Sequence, residues 1–346
     1  MYKAWIKTFF TVFLTSLIVV LSVNIVADPM MVLPFVHKLN NKAHNHNVAH
    51  QKTNLLFFSH YYKLKDYDGV ILGSSRSRSI NQNLFLPDYN VFNYAMPGTR
   101  PVEFLSYLSF AQELHGKPLR LIVIGLDFFG ASGAKSKSHV KGIPVAYTQE
   151  VKKPLYTLAN LINIKAFHLS TCVLRANLFN KKSEYWERKT NSRIEYYRLT
   201  PEQQEKRFNG SMNEYKYTYS NFRYNPDYKQ ILQEVKDAFP NTEFLVFTTP
   251  VSKPHLDMMF EYGLGDSYKQ WLTDIVDVFG TVTHFMEENE VTINYKKYFA
   301  DSNHLYPLEA DLIVKRITHK DEEEVPADFG RILTKENLPE YLKTIK

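Results

Sequence analysis

The stretch Asp68-Gly69-Val70-Ile71-Leu72-Gly73-Ser74-Ser75-Arg76 decides how the rest of the chain is read. A short, wholly apolar run stopped by a glycine and a pair of serines is the pattern of a buried strand ending in a polar turn. Working outward, Val91 to Ala95 reads as a second strand. Thr99 can cap a helix with Pro101 in its first turn, and Val102, Leu105, Leu108, Ala111 and Leu114 recur at helical spacing until Gly116 ends it. Leu119 to Leu126 (LRLIVIGL) is then a continuous apolar strand, as a strand covered on both faces requires.

The alternation resumes after residue 224. Asn225-Pro226 opens a helix carrying Ile231, Leu232, Val235 and Phe239, followed by a strand from Phe244 to Thr248. A helix around Trp271 to Phe279 precedes a strand from Thr281 to Phe285, and a last helix runs from Pro307 to Ile317. Strands alternating with helices imply right-handed crossovers and an α/β fold, a flavodoxin-like parallel sheet of about five strands in three layers. Ligands then gather at the carboxyl ends of the strands. Residues 131 to 224 interrupt the pattern: a basic start (Lys135, Lys137, His139, Lys141), a helical stretch from Leu155 to Leu178, and a polar, Tyr-rich run from Tyr185 to Tyr224. This insertion either roofs the site or is structural. The expected divisions are an anchor at 1–28, a juxtamembrane segment at 29–65, the α/β domain at 66–318 and a tail at 319–346.

The anchor is read from charge. Between Lys7 and Asp28 no charged residue occurs, and Phe9, Phe10, Phe13, Leu14, Leu17, Ile18, Val19, Val20 and Leu21 make the run strongly apolar. About 20 residues at about 1.5 Å each give roughly 30 Å, the hydrocarbon thickness of a bilayer. Lys3 and Lys7 precede the run and Asp28 follows it, so the positive-inside rule places the N-terminus in the cytoplasm and the remainder outside. Ile25 spoils a small-x-small cleavage site ending at Ala27, which favours an uncleaved anchor over a signal peptide.

Composition narrows the function classes. With 346 residues, 44% of them hydrophobic, the chain can bury a sizeable core. The formal net charge of +6 comes from 42 basic residues interspersed with 36 acidic ones, without a single-sign tail or a recognition motif, which argues against nucleic acid as a partner. The one cysteine, Cys172, rules out an intrachain disulfide and sits in an apolar stretch where a buried structural thiol is expected. His37, His44, His46, His50 and His60 lie in the polar segment after the anchor; without a nearby carboxylate or cysteine partner they are read as solvated, and no metal site is expected.

Two segments fall at expected strand ends and carry reactive groups: Gly73-Ser74-Ser75-Arg76, and Asp301-Ser302-Asn303-His304 before the last helix. A serine hydroxyl is a poor nucleophile until a base takes its proton, and the base works best when a carboxylate fixes its tautomer. Asp301 and His304 can supply that pair. On these blocks the chain resembles the SGNH, or GDSL-like, hydrolase and acyltransferase superfamily across about residues 66 to 318, outside the insertion. The resemblance implies Ser75 as nucleophile, His304 as base and Asp301 as its orienter, with the backbone N–H groups of Ser75 and Gly98 (in Asn93-Tyr94-Ala95-Met96-Pro97-Gly98) holding the oxyanion. Ser74 stands where the family usually has Asp.

One block departs from the family pattern. After the third strand the family has Gly-x-Asn-Asp, whose Asn donates to the oxyanion, whereas this chain reads Gly125-Leu126-Asp127-Phe128. Loss of such a donor costs about 2.7–4 kcal/mol. Gly-Ser-Ser-Arg and Asp-Ser-x-His, behind an anchor, are similar to the membrane-tethered branch of the superfamily. That branch includes the periplasmic proteins of polysaccharide O-acetylation and the D-alanyl transfer protein of teichoic acids. It implies a single-pass membrane esterase or O-acyltransferase needing no cofactor, with an acylated or anionic envelope glycan and a membrane acyltransferase as partners. Arg76 and Arg100, with Arg78 nearby, are the candidate substrate-binding cations, since guanidinium forks suit carboxylates and phosphates. The alternative is a protein of the same fold that binds glycan or scaffolds an envelope complex without catalysis, and Asp127 is the residue that favours it.

Overall fold

The computed structural model describes residues 2–30, 32–33, 52–53, 55–57, 59, 64–133, 142–179, 185–187, 192–195, 198–320 and 322–345. The histidines from His37 to His60 and the basic run Lys135 to Lys141 lie outside the described residues. The main elements begin with α1 (Tyr2–Ala27), β1 (Gly69–Leu72), β2 (Val91–Asn93), α2 (Pro101–His115) and β3 (Leu121–Leu126). Next come α3 (Tyr156–Leu161), α4 (Ile164–Leu178), β4 (Tyr185–Glu187), β5 (Ser192–Glu195), α5 (Pro201–Ser220) and α6 (Tyr228–Asp237). The chain continues with β6 (Glu243–Thr248), α7 (Lys253–Glu261), α8 (Gly265–Phe279), β7 (Thr281–His284), α9 (Pro307–Thr318), β8 (Arg331–Thr334) and α10 (Leu338–Thr344).

These elements fall into two units, Met1–Tyr62 with Ala146–Tyr197, and Lys63–Val145 with Arg198–Lys346. The segment read as one insertion, 131–224, is divided between them.

In the first unit α1 is a helix long and apolar enough to cross a membrane. It ends where Asp28 takes a left-handed conformation (φ 39°) and its carboxylate accepts from the N–H groups of Val32 (2.9 Å) and Leu33 (3.0 Å). Near that end the buried Asn24 donates from Nδ2 to the carbonyl of Leu161 (2.7 Å) and accepts from Ser170 Oγ (2.7 Å). Buried Ala166, Ser170 and Val173 recur at i, i+4 and i+7 on α4, one face of a helix. Cys172 lies off that face and is exposed, which corrects the expectation of a buried thiol. The apolar neighbours that suggested burial alternate between two sides of a helix of which only one is covered. The short strands β4 and β5 pair antiparallel in this unit.

The second unit is built on a mixed six-stranded sheet in the order β2-β1-β3-β6-β7-β8. The first five strands are parallel and β8 runs antiparallel to β7. Every residue of β1 and β3 is buried, which accounts for their unbroken apolar sequences. Ile71, Leu121, Val123 and Phe247 share a core with Ala310, Ile313, Val314 and Ile317 of α9. Side chains alternate along a strand, so Val70, Leu72, Ile122 and Ile124 face the other way. The sheet has one strand more than the sequence suggests. Arg331-Ile332-Leu333-Thr334 is short and begins with a charge, and it lies in what reads as a tail; yet Phe329, Leu333 and Leu338 are buried there. Expected and observed strand ends otherwise differ by one or two residues.

Parallel order places the loops after β1, β2, β3 and β6 at one edge of the sheet. Where β3 passes that edge only glycine fits: a Cβ on Gly125 would stand 2.1 Å from Ser77 Oγ and 2.7 Å from Phe247 Cζ. Among the described residues no group of three or more His, Cys, Asp or Glu side chains is placed to hold a metal ion.

Candidate active site

Beyond Leu72 the chain turns at Gly73, and the next residues form one tight turn. Ser74 is buried, its Oγ accepts from the N–H of Arg76 (3.2 Å), and its carbonyl accepts from the N–H of Ser77 (3.1 Å). The small Ser74 hydroxyl thus serves the backbone of the turn and leaves Ser75 half-buried at its crest. Asn93, buried at the end of β2, fixes the continuation: its Nδ2 donates to the carbonyls of Ser77 (3.3 Å) and Ile80 (3.0 Å).

The second block sits between Phe299 and Leu305, which bridge antiparallel, with Ala300 N–H bonded to the carbonyl of His304 (2.8 Å). Asp301 Oδ1 accepts from the N–H groups of Asn303 and His304, both at 2.9 Å, so the loop is wound around its own carboxylate. The other oxygen, Oδ2, meets His304 Nδ1 at 2.8 Å, and His304 Nε2 meets Ser75 Oγ at 2.9 Å. An ionised carboxylate can only accept, so Nδ1 carries the ring proton and Nε2 is left to accept from the Ser75 hydroxyl. Burial pushes the Asp301 carboxyl up, but the electrostatic pull of the adjacent His304 ring, its N–H and the two backbone N–H groups outweigh it and hold it at about 2. Asp301 is therefore ionised at neutral pH. Ser75, His304 and Asp301, 229 residues apart at the extremes, are one hydrogen-bonded chain.

Gly98 follows β2 on the adjoining loop, which is tied to the first turn by Met96 N–H donating to the carbonyl of Gly73 (3.0 Å). Its φ of 61° is left-handed, where a side chain would be strained, and a Cβ there would meet nothing within 4 Å. Among the described residues the N–H groups of Ser75 and Gly98 make no hydrogen bond.

Asp127, at the end of β3, does not stand alone as a charge. Arg76 Nη1 lies 3.3 Å from its Oδ1, and Thr249 Oγ1 donates to the same oxygen at 2.6 Å. Both side chains of the ion pair are only 4% exposed. Burial acts to lower the pKa of the Arg76 guanidinium, but Tyr215 and Asp127 outweigh it and hold it above the ordinary value, so the guanidinium keeps its charge. Arg76 therefore points inward, between the rings of Phe129 (5.4 Å) and Tyr215 (5.3 Å), and is not the solvent-facing cation its sequence position suggests. Arg100 lies over the same Phe129 ring at 5.6 Å and donates from Nη1 to the carbonyl of Ser132 (3.0 Å). Burial lowers its pKa, partly offset by Glu103. Nε and Nη2 of Arg76 and Nε of Arg100 are buried without a hydrogen-bond partner among the described residues.

A further polar chain lies behind the His304 loop and carries residues that sequence reading does not single out. Tyr219 OH meets His255 Nε2 at 2.8 Å, His255 Nδ1 meets Ser302 Oγ at 3.0 Å, and Ser302 Oγ meets Ser211 Oγ at 2.6 Å. Ser252 N–H donates to the carbonyl of Ser302 (2.9 Å). Burial, and then the Arg76 charge, hold His255 well below the ordinary histidine pKa, so it is neutral. The one available signal was Ser302 itself, a small polar residue inside the Asp-Ser-Asn-His block. No protein-family description matches this chain, and no curated protein matches it.

Proposed function

We propose that this chain is a membrane-tethered serine esterase or O-acyltransferase of SGNH type. The observation that carries the reading is the unbroken Ser75–His304–Asp301 chain at the carboxyl edge of a parallel sheet. The strand order is consistent with it, because β2-β1-β3-β6-β7 follows the 2-1-3-4-5 order of doubly wound, flavodoxin-like sheets. In the mechanism His304 Nε2 takes the Ser75 proton as Oγ attacks the acyl carbonyl. The N–H groups of Ser75 and Gly98 hold the oxyanion, and His304 returns the proton to the leaving oxygen as the ester C–O bond breaks. Water or a sugar hydroxyl then attacks acyl-Ser75, its proton passing through His304 to Ser75 Oγ. The substrate class is an acylated, anionic envelope glycan presented outside the membrane that α1 spans. Arg100 would attract it, while Arg76 neutralises Asp127 so that no bare carboxylate faces the oxyanion.

The experiment is reaction of the detergent-solubilised protein with a fluorophosphonate probe, followed by peptide mapping. Covalent labelling at Ser75, lost in His304→Ala, supports the reading. Asp127 in place of an oxyanion donor favours a second one, a glycan-binding scaffold; no serine labelled, with glycan retained on a column of immobilised chain, would establish that instead.

A further inference from the structure

The helices beside the anchor leave apolar side chains uncovered. Leu155, Leu158, Ile162 and Ile164 are all exposed, and the first three recur at i, i+3 and i+7 along α3 and its flanks, one side of a helix. Buried Tyr156 and Leu161 take the other side. On α4 the exposed basic residues are Lys165, His168 and Arg175. Apolar anchors flanked by cations form the surface pattern of a helix lying in a bilayer interface.

What the surface meets follows from α1. That helix is exposed from Tyr2 to Val19 and is first covered at Val20. Lys7 is the last charged residue before the apolar run, and Asn24, the first fully buried residue of α1, lies about 17 residues beyond it, about 26 Å at about 1.5 Å each and close to the hydrocarbon thickness of a bilayer. Full burial by protein therefore begins at the outer end of the hydrocarbon. Asn24, one turn beyond Val20, bonds to the carbonyls of Leu161 (2.7 Å) and Asn163 (3.3 Å). The α3–α4 junction is thus clamped at the depth of the membrane boundary, with Leu158, Ile162 and Ile164 on either side of the clamp.

We propose that α3 and the start of α4 lie in the headgroup–acyl boundary of the bilayer, with Leu155, Leu158, Ile162 and Ile164 immersed and the basic residues of α4 among the headgroups. The inference rests on the reading of α1 as a membrane span and is independent of the chemistry at Ser75. The partner is the lipid surface itself, and the anchor is a span plus an interfacial shoulder that fixes how far the unit stands off the membrane.

The test uses the full-length chain reconstituted in phosphatidylcholine–phosphatidylglycerol vesicles. Cys172→Ser removes the one cysteine. Leu158→Cys, Ile162→Cys and, as a depth reference, Phe13→Cys are then labelled singly with an environment-sensitive fluorophore. The expected result is a shift of emission to shorter wavelength at 158 and 162, with quenching by lipids carrying a nitroxide near the headgroup. Phe13→Cys should instead be quenched by nitroxides deep in the acyl chain. The unlabelled thiols at 158 and 162 should react more slowly with an aqueous maleimide in vesicles than after detergent extraction. Deep quenching at 13 with aqueous emission and fast maleimide reaction at 158 and 162 overturns the interfacial surface while keeping the span. Absence of lipid quenching at 13 overturns the span and the inference with it.

Discussion

In the proposed mechanism Ser75 and His304 would carry opposite halves of one proton transfer, so neither would have a separable contribution. Ser75→Ala and His304→Ala should each remove turnover by on the order of 10⁶, and the double variant should be no worse than either. Asp301→Ala should retain more activity than both. Ester hydrolysis or acyl transfer by folded protein, checked by circular dichroism, measures this, and robust turnover in Ser75→Ala would end the serine mechanism. Asp127 is where structure changes the expectation. On sequence alone an amide there looks like a restored oxyanion donor; with Arg76 paired to it and both buried, Asp127→Asn leaves an uncompensated guanidinium. Breaking such a pair costs about 3–5 kcal/mol, so the variant should unfold at markedly lower denaturant concentration. An unchanged midpoint with a raised rate would mean that the pair does not form. The three triad residues were legible because short motifs at strand ends carry their own chemistry. The Arg76–Asp127 pair was not, because the two residues are on different loops and only the sheet order brings those loops together.

The same contrast holds among the elements. β1, β3 and α2 declare themselves through apolar runs and caps. Helix α5 does not, because Pro201 to Ser220 is mostly polar and buries only Tyr219, so its period carries no apolar stripe. It is held instead by a capping box, Thr200 accepting from Gln203 N–H (3.3 Å) and Gln203 Oε1 accepting from Thr200 N–H (3.1 Å). It is also held by contacts to the chain before Asp301. Gln204 Nε2 donates to the carbonyls of Lys296 (2.8 Å) and Phe299 (2.6 Å), and Phe208 stacks on Tyr295 at 4.9 Å. Thr200→Ala should cost about 1 kcal/mol of stability, read from the denaturation midpoint. Because Ser211 on this helix bonds to Ser302, Ser211→Ala should lower kcat and leave KM nearly unchanged. Equal loss in both would mean that α5 shapes the substrate cleft instead of steadying the His304 loop.

For the molecule as a whole, buried neutral histidines set the response to acid. His284 is held at about 3 by burial and by the nearby Arg331 charge. Thr248 Oγ1 lies 2.8 Å from its Nδ1, and Tyr268 OH lies 3.0 Å from its Nε2. Thr248 Oγ1 already accepts from Phe285 and Met286 N–H, and Tyr268 donates to the Met286 carbonyl. Nδ1 is therefore the acceptor and Nε2 the donor. The unfolded chain protonates this residue near 6.5 while the folded one does not, so its contribution is complete above about 6.5 and is lost progressively as pH falls toward about 3. The Tm should fall across that window, and His284→Gln should flatten the slope while lowering Tm at neutral pH; an unaltered slope would assign the acid response elsewhere. The β7–β8 pairing has a separate consequence for biogenesis. β8 is the last of the six strands in chain order and runs opposite to its neighbour, so an emerging chain carries the outer edge of β7 unpaired until Arg331 to Thr334 arrive. A truncated translation product would keep that edge open to β-strands of other chains, so a nonsense mutation before Arg331 would give an aggregating protein even though every residue of the Ser75–His304–Asp301 chain had already been made.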